Sequence, residues 1–225
     1  NDEKSALLGL LRSHKKYGLV WEDKPEDVEE RIKDSLPVLT EVKERAIISD
    51  SPDAPNHILI EGDNLEALTA LSYTHEGKVD FIYIDPPYNT GNKDFTYNDN
   101  YVDGEDSYRH SKWLSFMNKR LKIAKRLLKE SGVIFISIDD NEYANLKLLC
   151  DEVFGESNLV ASICRQAIKG GSRALNIKSV HDYVLIYAFS QSLLNPFTGE
   201  EKEKIDFNLQ DEKGYYIKGR ELNKW

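Results

Sequence analysis

Asp80-Phe81-Ile82-Tyr83-Ile84-Asp85-Pro86-Pro87-Tyr88-Asn89 is the stretch that decides the fold of this 225-residue chain. Phe81 to Ile84 is a short run of β-branched and aromatic residues, which predicts a buried strand. Pro86 has no N–H to give to a neighbouring strand, and Pro87 disfavours helix at the residue before it, so the strand is expected to end at Asp85. A carboxylate, two rigid prolines and an aromatic ring then lie together at the C-terminal edge of a sheet, where open α/β sheets bind ligands.

This cluster suits the attack of a weakly nucleophilic exocyclic amine on an electrophile. The Asp85 carboxylate and the Pro86 carbonyl can both accept hydrogen bonds from one NH2 group, which draws the nitrogen toward sp3 geometry and aims its lone pair. The Tyr88 ring can stack on the plane of a base, a contact worth about 1–3 kcal/mol. The prolines fix both acceptors before the substrate arrives. We therefore interpret the stretch as catalytic rather than as a plain strand-to-loop turn.

Asp85-Pro86-Pro87-Tyr88 resembles the catalytic motif of the S-adenosylmethionine-dependent amino-methyltransferases that modify DNA bases, in the form usual for adenine. Further segments extend the resemblance to the modification (methylase) subunits of type III restriction–modification systems: Tyr17–Glu22, Ile58–Leu68, Asn89–Phe95, Arg109–Leu114 and Gly132–Asp140. The resemblance implies an adenine-N6 DNA methyltransferase with S-adenosylmethionine as cofactor and no required metal. It also implies double-stranded DNA, a restriction (helicase–nuclease) subunit and a second methylase subunit as partners.

The resemblance further implies an α/β fold, with an incomplete Rossmann-like methyltransferase sheet and an N-terminal helical arm. Residues 1–56 are expected to form the arm, 57–190 the catalytic half of the methyltransferase domain, and 191–225 a tail leading toward a missing target-recognition region. A glycine-rich loop of the form Phe-x-Gly-x-Gly, which these enzymes use for the cofactor, does not occur in the sequence. We therefore expect the N-terminal part of a longer methylase, which alone is inactive.

Hydrophobic periodicity and turn residues predict the remaining elements. Helices are expected at 4–16, from Pro25 to Leu36, within 38–48, from 63 to about 73, at 107–129 with Ser131-Gly132 as its cap, and at 142–154. Strands are expected at 57–61, 133–138, 160–166 and 181–188. The segment from 195 onward is expected to be mobile or partly helical.

Candidate ligand-binding residues flank the catalytic stretch. Asp63 and Asn64 lie at a strand-to-helix turn, where Asp63 either caps the helix or, as the resemblance implies, borders the cofactor adenosine. The candidates for contact with the target base or DNA are Asn89, Phe95, Asp139, Arg165, Lys169, Arg173, Lys178 and His181. For His181, a histidine satisfied at a strand start is an equal alternative. Residues 89–107 form either a flap over the site or a surface excursion held by its aromatic side chains.

Charge and cysteine content limit the possible functions. The net charge of −9 is unfavourable for binding DNA, although residues 165–181 contain four basic residues and no acidic one. The two cysteines lack metal-ligand spacing and indicate a reduced cytoplasm, and no apolar stretch approaches the length of a membrane helix. A non-catalytic assembly or partner-binding module, and methylation of cytosine-N4 or of a protein amide, therefore stay open as alternatives.

Overall fold

The computed structural model describes residues 19–47, 51, 53–167, 180–197, 209–211 and 214–216. The predicted helix at 4–16 lies outside these residues. The chain divides into two compact units, residues 1–194 and 195–225. Across the described residues, no helix is both long enough and apolar enough to cross a bilayer.

The first unit alternates helices and strands. Its helices are α1 (Asp27–Asp34), α2 (Asn64–His75), α3 (Arg109–Leu127) and α4 (Tyr143–Phe154). Its strands are β1 (Val79–Ile84), β2 (Thr96–Tyr97), β3 (Asn100–Tyr101), β4 (Leu128–Ile138), β5 (Leu159–Gln166) and β6 (His181–Ala188). Short 3-10 turns lie at Lys43–Arg45, Glu156–Asn158 and Gln191–Leu193. In the second unit, β7 (Leu209–Asp211) and β8 (Gly214–Tyr216) form an antiparallel pair, where the sequence predicts a mobile or partly helical segment.

Four strands form one mixed sheet in the order β1-β4-β6-β5. β1 and β4 are parallel, whereas β6 is antiparallel to both β4 and β5. The carboxyl ends of β1, β4 and β5 therefore meet the amino end of β6 at one edge, which we call the carboxyl edge. This arrangement confirms the predicted α/β class and an incomplete Rossmann-like sheet.

The core lies between one face of the sheet and helices α3 and α4. Alternate residues of β4 point into it, because successive side chains of a strand point to opposite faces. The fully buried members include Ile134, Ile136, Ile138, Leu185, Tyr187, Trp113, Leu121, Leu146 and Leu149. The Tyr187 hydroxyl satisfies its buried position by donating to Asp151 Oδ1 at 2.7 Å.

The prediction that β1 is a buried strand is wrong for one of its faces. Phe81 is 54% and Tyr83 is 56% exposed, because within the described residues β1 is an edge strand and these side chains lie on the face opposite the core. Phe81 contacts the Phe135 ring at 5.0 Å between centroids, and the Tyr83 hydroxyl lies 2.9 Å from Ser137 Oγ.

Gly132 is not the helix cap that the sequence predicts. It lies inside β4, which starts at Leu128 directly after α3. A Cβ at Gly132 would lie 2.9 Å from the Val79 carbonyl oxygen, so glycine here allows the close approach of β1 to β4.

Three other element predictions differ from the structure. Residues 57–61 form no strand, because no described segment pairs with them. The stretch 38–48 contains only the 3-10 turn among its described residues. Helix α1 begins after Glu26 rather than at Pro25, because Glu26 and Glu29 form a reciprocal capping box.

The segment before α1 docks on α3 through buried ionic contacts. Arg120 of α3 binds Glu26 with two hydrogen bonds of 2.8 and 3.0 Å, and only 9% and 7% of these side chains are exposed. Lys119 binds Glu29 at 2.6 Å. Because both partners of the Arg120–Glu26 pair are desolvated together, the pair fixes the position of α1.

The segment 89–107, predicted to be either a flap or a surface excursion, is packed against the core through its own aromatic residues. Phe95 and Tyr97 are buried, and the Tyr97 hydroxyl donates to the Lys24 carbonyl. The structure therefore favours the second alternative, a surface excursion held by aromatic side chains.

The two ends of this excursion touch through glycine backbones. Gly91 has a φ of +82°, and a Cβ there would lie 2.6 Å from the Gly104 Cα. Gly91→Ala is therefore expected to lower the free energy of unfolding by about 2–4 kcal/mol, from left-handed strain plus a backbone clash. Urea denaturation measures it. Gly77→Ala is the matched control, because its φ is +64° but the space around its Cβ is open; equal losses in both variants would show that the close approach contributes nothing.

Candidate active site

The catalytic stretch leaves β1 at the carboxyl edge. Ile84 is the last strand residue and pairs with Ile136 of β4. Asp85 follows with its side chain exposed, and Tyr88 is half-buried. The four residues Asp85, Pro86, Pro87 and Tyr88 therefore lie where the sequence places them, at an open rim, and their catalytic role is a proposal.

The Tyr88 hydroxyl is held as a neutral group. Burial, followed by a hydrogen bond to the Asp85 carboxylate and that carboxylate's charge, raises the pKa of Tyr88 to about 12. The nearby Asp182 carboxylate acts in the same direction. Tyr88 therefore stays protonated at neutral pH, and its hydroxyl lies near the Asp85 carboxylate.

Buried residues also hold the backbone of the turn Asp85–Tyr88. Trp113 of α3 is fully buried and donates from Nε1 to the Pro87 carbonyl oxygen at 2.7 Å. Asn89 is fully buried, with a φ of +57°, which is a left-handed conformation that asparagine tolerates better than most residues. These contacts therefore hold the backbone that follows Asp85 and Pro86.

Charged and aromatic groups from β5 and β6 line the same edge. Arg165 pairs across the strands with Asp182, its Nε donating to Asp182 Oδ1 at 2.8 Å. This ion pair holds the pKa of Asp182 below its ordinary value. His181 Nε2 lies 2.9 Å from the Tyr183 hydroxyl, which donates to Asp140 at 3.1 Å. The structure thus brings Arg165 and His181 to the edge that carries Asp85 and Tyr88.

The cofactor candidates are engaged in structural contacts. Asp63 caps α2 by accepting from the N–H groups of Leu65 and Glu66. Asn64 Oδ1 accepts from Arg120 Nε at 2.5 Å. The cleft that Asp63 borders measures about 110 Å³, whereas pockets for small molecules usually measure about 300–1,000 Å³. The described residues around Asp63 therefore do not form a complete site for S-adenosylmethionine, and a cofactor role for Asp63 and Asn64 stays a prediction.

Three of the base-contact candidates serve other purposes in the structure. Phe95 is only 1% exposed and packs against Phe116, so the proposal that it contacts a base is corrected. Asn89 faces the interior and is not placed to touch a base. Asp139 accepts hydrogen bonds from the backbone and side chain of Asn141 and so shapes the turn after β4. The remaining candidates Lys169, Arg173 and Lys178 lie outside the described residues.

Basic residues of α3 are mostly matched by acidic partners. Lys112 pairs with Asp106, and Arg126 pairs with Glu76, in addition to the Lys119 and Arg120 contacts. Salt bridges of this kind neutralise the charge that a phosphate-binding face needs. The helix therefore presents no concentrated basic face in the part of the chain described.

A buried cluster behind the turn is not predicted from the sequence. Glu142 is fully buried and accepts hydrogen bonds from Asn89, His110 and Asn145. Sequence periodicity indicates Glu142 only as the start of a helix. The one signal that points to it is its place after Asp139-Asp140-Asn141, close to the end of an apolar strand that lies in the core.

The chain is similar to proteins of a known family. A family model described as DNA methylase matches residues 79–223. The chain is 36% identical to the EcoPI Mod subunit of a type III restriction–modification enzyme of Escherichia phage P1, in an alignment of 252 positions that covers 97% of the chain. It is 42% identical over 168 residues to the type II methyltransferase M.KpnI of Klebsiella pneumoniae, which covers 73% of the chain. The chain spans only 38% and 39% of the lengths of these two relatives.

Two solved structures are also similar. One is a protein of Thermus thermophilus described as a DNA modification methylase complexed with S-adenosyl-L-methionine, with a TM-score of 0.45 and 17% identity over 60% of this chain and 54% of that one. The other is the cytosine-N4-specific PvuII DNA methyltransferase, with a TM-score of 0.44 and 15% identity over 57% of this chain and 48% of that one.

Proposed function

Because the chain belongs to the DNA methylase family, we propose that it provides the acceptor side of a methyl transfer to the N6 amine of adenine in DNA. The methyl donor in this proposal is S-adenosylmethionine, which supplies an electrophilic methyl group when bound. The observation that carries the proposal is the rim geometry, with an exposed Asp85 carboxylate, the rigid Pro86 carbonyl and a half-buried Tyr88 at one edge of the sheet.

The residues of the rim act on the amine. Asp85 and the Pro86 carbonyl each accept one of its two hydrogens, so the nitrogen lone pair is directed away from the base plane. As the amine nitrogen bonds to the methyl carbon, the bond from that carbon to the donor sulfur breaks and its electron pair stays on the sulfur. The amine also gives up one proton, for which the Asp85 carboxylate is the acceptor on this chain. Tyr88 holds the base plane by stacking.

A base inside a duplex cannot reach this rim, so the proposal requires that the adenine is flipped out, at a cost of a few kcal/mol. Double-stranded DNA is the proposed substrate, and the cytoplasm is the proposed location. A restriction subunit and a second methylase subunit are the proposed partners. The proposal names adenine as the target, and not cytosine-N4, only because the motif has the Asp-Pro-Pro-Tyr form.

A second candidate function is a non-catalytic assembly module. It is favoured by Asp63 and Asn64, whose side chains are occupied by a helix cap and by Arg120. It predicts a folded chain that binds another subunit without transferring methyl groups.

One assay separates these functions. The complete protein is incubated with tritium-labelled S-adenosylmethionine and unmethylated genomic DNA, and the DNA is digested to nucleosides for chromatography. We expect label in N6-methyladenine. Label in N4-methylcytosine would mean that the target base is cytosine and not adenine. Unlabelled DNA would favour the assembly module.

Tyr88 is expected to act through its ring more than its hydroxyl. Tyr88→Ala should weaken the productive binding of the base by about 1–3 kcal/mol, or roughly 5- to 150-fold in kcat/KM, since base stacking on an aromatic ring is worth that much. Tyr88→Phe keeps the ring and should retain most of the activity. Steady-state kinetics on genomic DNA compares the two. A Phe variant as weak as the Ala variant would assign the effect to the hydroxyl.

A further inference from the structure

A buried carboxylate lies directly behind the proposed catalytic turn. Glu142 precedes α4 and is fully buried. Its Oε1 accepts from Asn89 Nδ2 at 2.5 Å and lies 2.6 Å from His110 Nδ1. Its Oε2 accepts from Asn145 Nδ2 at 2.7 Å. Three side chains from separate parts of the sequence therefore converge on one carboxylate.

The His110 contact has a defined direction. Arg109 Nε donates to His110 Nε2 at 3.2 Å, so the neutral ring carries its proton on Nδ1 and donates it to Glu142. Glu142 is thus stabilised by N–H donors, which form the strong hydrogen bonds that a buried carboxylate needs. A buried carboxylate without such donors is unfavourable, so the arrangement depends on all three partners being in place.

Asn89 connects this carboxylate to the catalytic stretch. It follows Tyr88 directly and has a φ of +57°. Its Nδ2 also reaches the Arg109 carbonyl at 3.4 Å, while its buried Oδ1 has no partner among the described residues. A flipped amide would place Oδ1 against the Glu142 carboxylate, so Glu142 determines the orientation of the Asn89 side chain and with it the exit of the chain from Tyr88.

We propose that Glu142 is a positioning residue for the turn Asp85–Tyr88, acting through Asn89. The inference rests on the proposed function, because the turn is the proposed acceptor site. Glu142 touches no reacting atom. It holds the Tyr88 ring and the two acceptors in register with the amine.

Glu142→Gln tests this inference, because it keeps the shape but replaces the charged acceptor of Asn89 and His110 by a neutral amide, whose NH2 group opposes at least one of the three donors. In the complete protein we expect kcat for DNA methylation to fall about 10- to 100-fold, as expected for a displacement of a reacting group by a fraction of an ångström to an ångström. KM for S-adenosylmethionine should change little. Exchanging the two groups, with Asn89→Asp and Glu142→Gln together, restores a hydrogen bond of reversed direction and should raise kcat above that of either single variant.

Two controls accompany this variant. Asn145→Ala removes a partner of Glu142 that does not touch the turn, and should reduce kcat less than Glu142→Gln does. Glu76→Gln makes the same chemical change at an exposed ion pair with Arg126, and should leave kcat unchanged. If Glu142→Gln retained the kcat of the unmodified protein while the latter methylated DNA, the inference would be overturned and the proposed function would stand.

A second measurement does not depend on activity. With 3-fluorotyrosine incorporated, the 19F NMR signal of Tyr88 is assigned by its loss in Tyr88→Phe. In Glu142→Gln we expect this signal to shift or split, while the signal of the buried Tyr97 stays in place. If the protein did not methylate DNA, the proposed function would fail, and this signal alone would decide whether Glu142 positions the turn. An unchanged Tyr88 signal would overturn the inference.

Discussion

Replacing Asp85 by alanine is expected to lower the rate of methyl transfer by about 10²- to 10³-fold, the usual cost of removing one preorganised group from an active site. The exposed carboxylate is the proposed acceptor for one amine hydrogen and for the proton that leaves the amine. Its loss also removes a negative charge that raises the pKa of Tyr88. Single-turnover kinetics with tritium-labelled S-adenosylmethionine measures the chemical step directly.

Two further variants separate the charge of Asp85 from its shape. Asp85→Asn keeps one acceptor oxygen but cannot take up a proton, and should be intermediate between alanine and the unmodified protein. Asp80→Ala is the control, because Asp80 lies on the same strand, β1, and its exposed carboxylate pairs with Lys129. This variant should leave the rate unchanged. A rate for Asp85→Ala within about twofold of the unmodified protein would remove Asp85 from the mechanism, because even a modest catalytic contact contributes more.

Arg120→Met is expected to lower the free energy of unfolding by about 3 kcal/mol, because it leaves the buried Glu26 carboxylate with only the more distant Lys119 ammonium, 3.8 Å away. The same change removes the hydrogen bonds from Arg120 to Asn64 and to the Phe116 carbonyl. The segment before α1 should therefore detach from α3 before the sheet unfolds. Urea denaturation followed by circular dichroism gives the loss in free energy.

The expected loss depends on burial, which a matched variant isolates. Arg126→Met breaks an exposed pair with Glu76 on the same helix, and should cost less than about 1 kcal/mol. Replacing both members of the buried pair, with Glu26→Leu and Arg120→Met, should recover much of the loss, since no charge is then left unpaired. Equal losses for Arg120→Met and Arg126→Met would show that the pair does not hold the segment before α1 on α3.

The sequence predicts the sheet edge well because local rules and the motif agree there. Two prolines after an apolar run end β1 beside Asp85, and the strands at 159–166 and 181–188 follow their apolar runs closely. Gly132 shows where such local rules fail. A glycine after a long helix usually marks a cap, but this one lies where β1 approaches β4, which depends on tertiary packing.

The buried polar contacts could not be read from sequence for a related reason. Glu142, Asn89 and His110 lie far apart in the chain, and each alone has an ordinary explanation as a helix start, a loop residue or a surface histidine. Phe95 looks like a ligand-stacking residue in a polar loop until its packing against Phe116 is known. Spacing in the chain carries no information about contacts that only the folded sheet and helices create.

The most direct measurement is single-molecule sequencing of genomic DNA from a methylase-free bacterial host that expresses the complete protein, beside the same host expressing the Asp85→Ala variant. We expect N6-methyladenine at one recurring sequence in the first host and at none in the second. N4-methylcytosine, unmodified DNA, or equal modification in both hosts would contradict the claim that the carboxyl end of β1 methylates adenine.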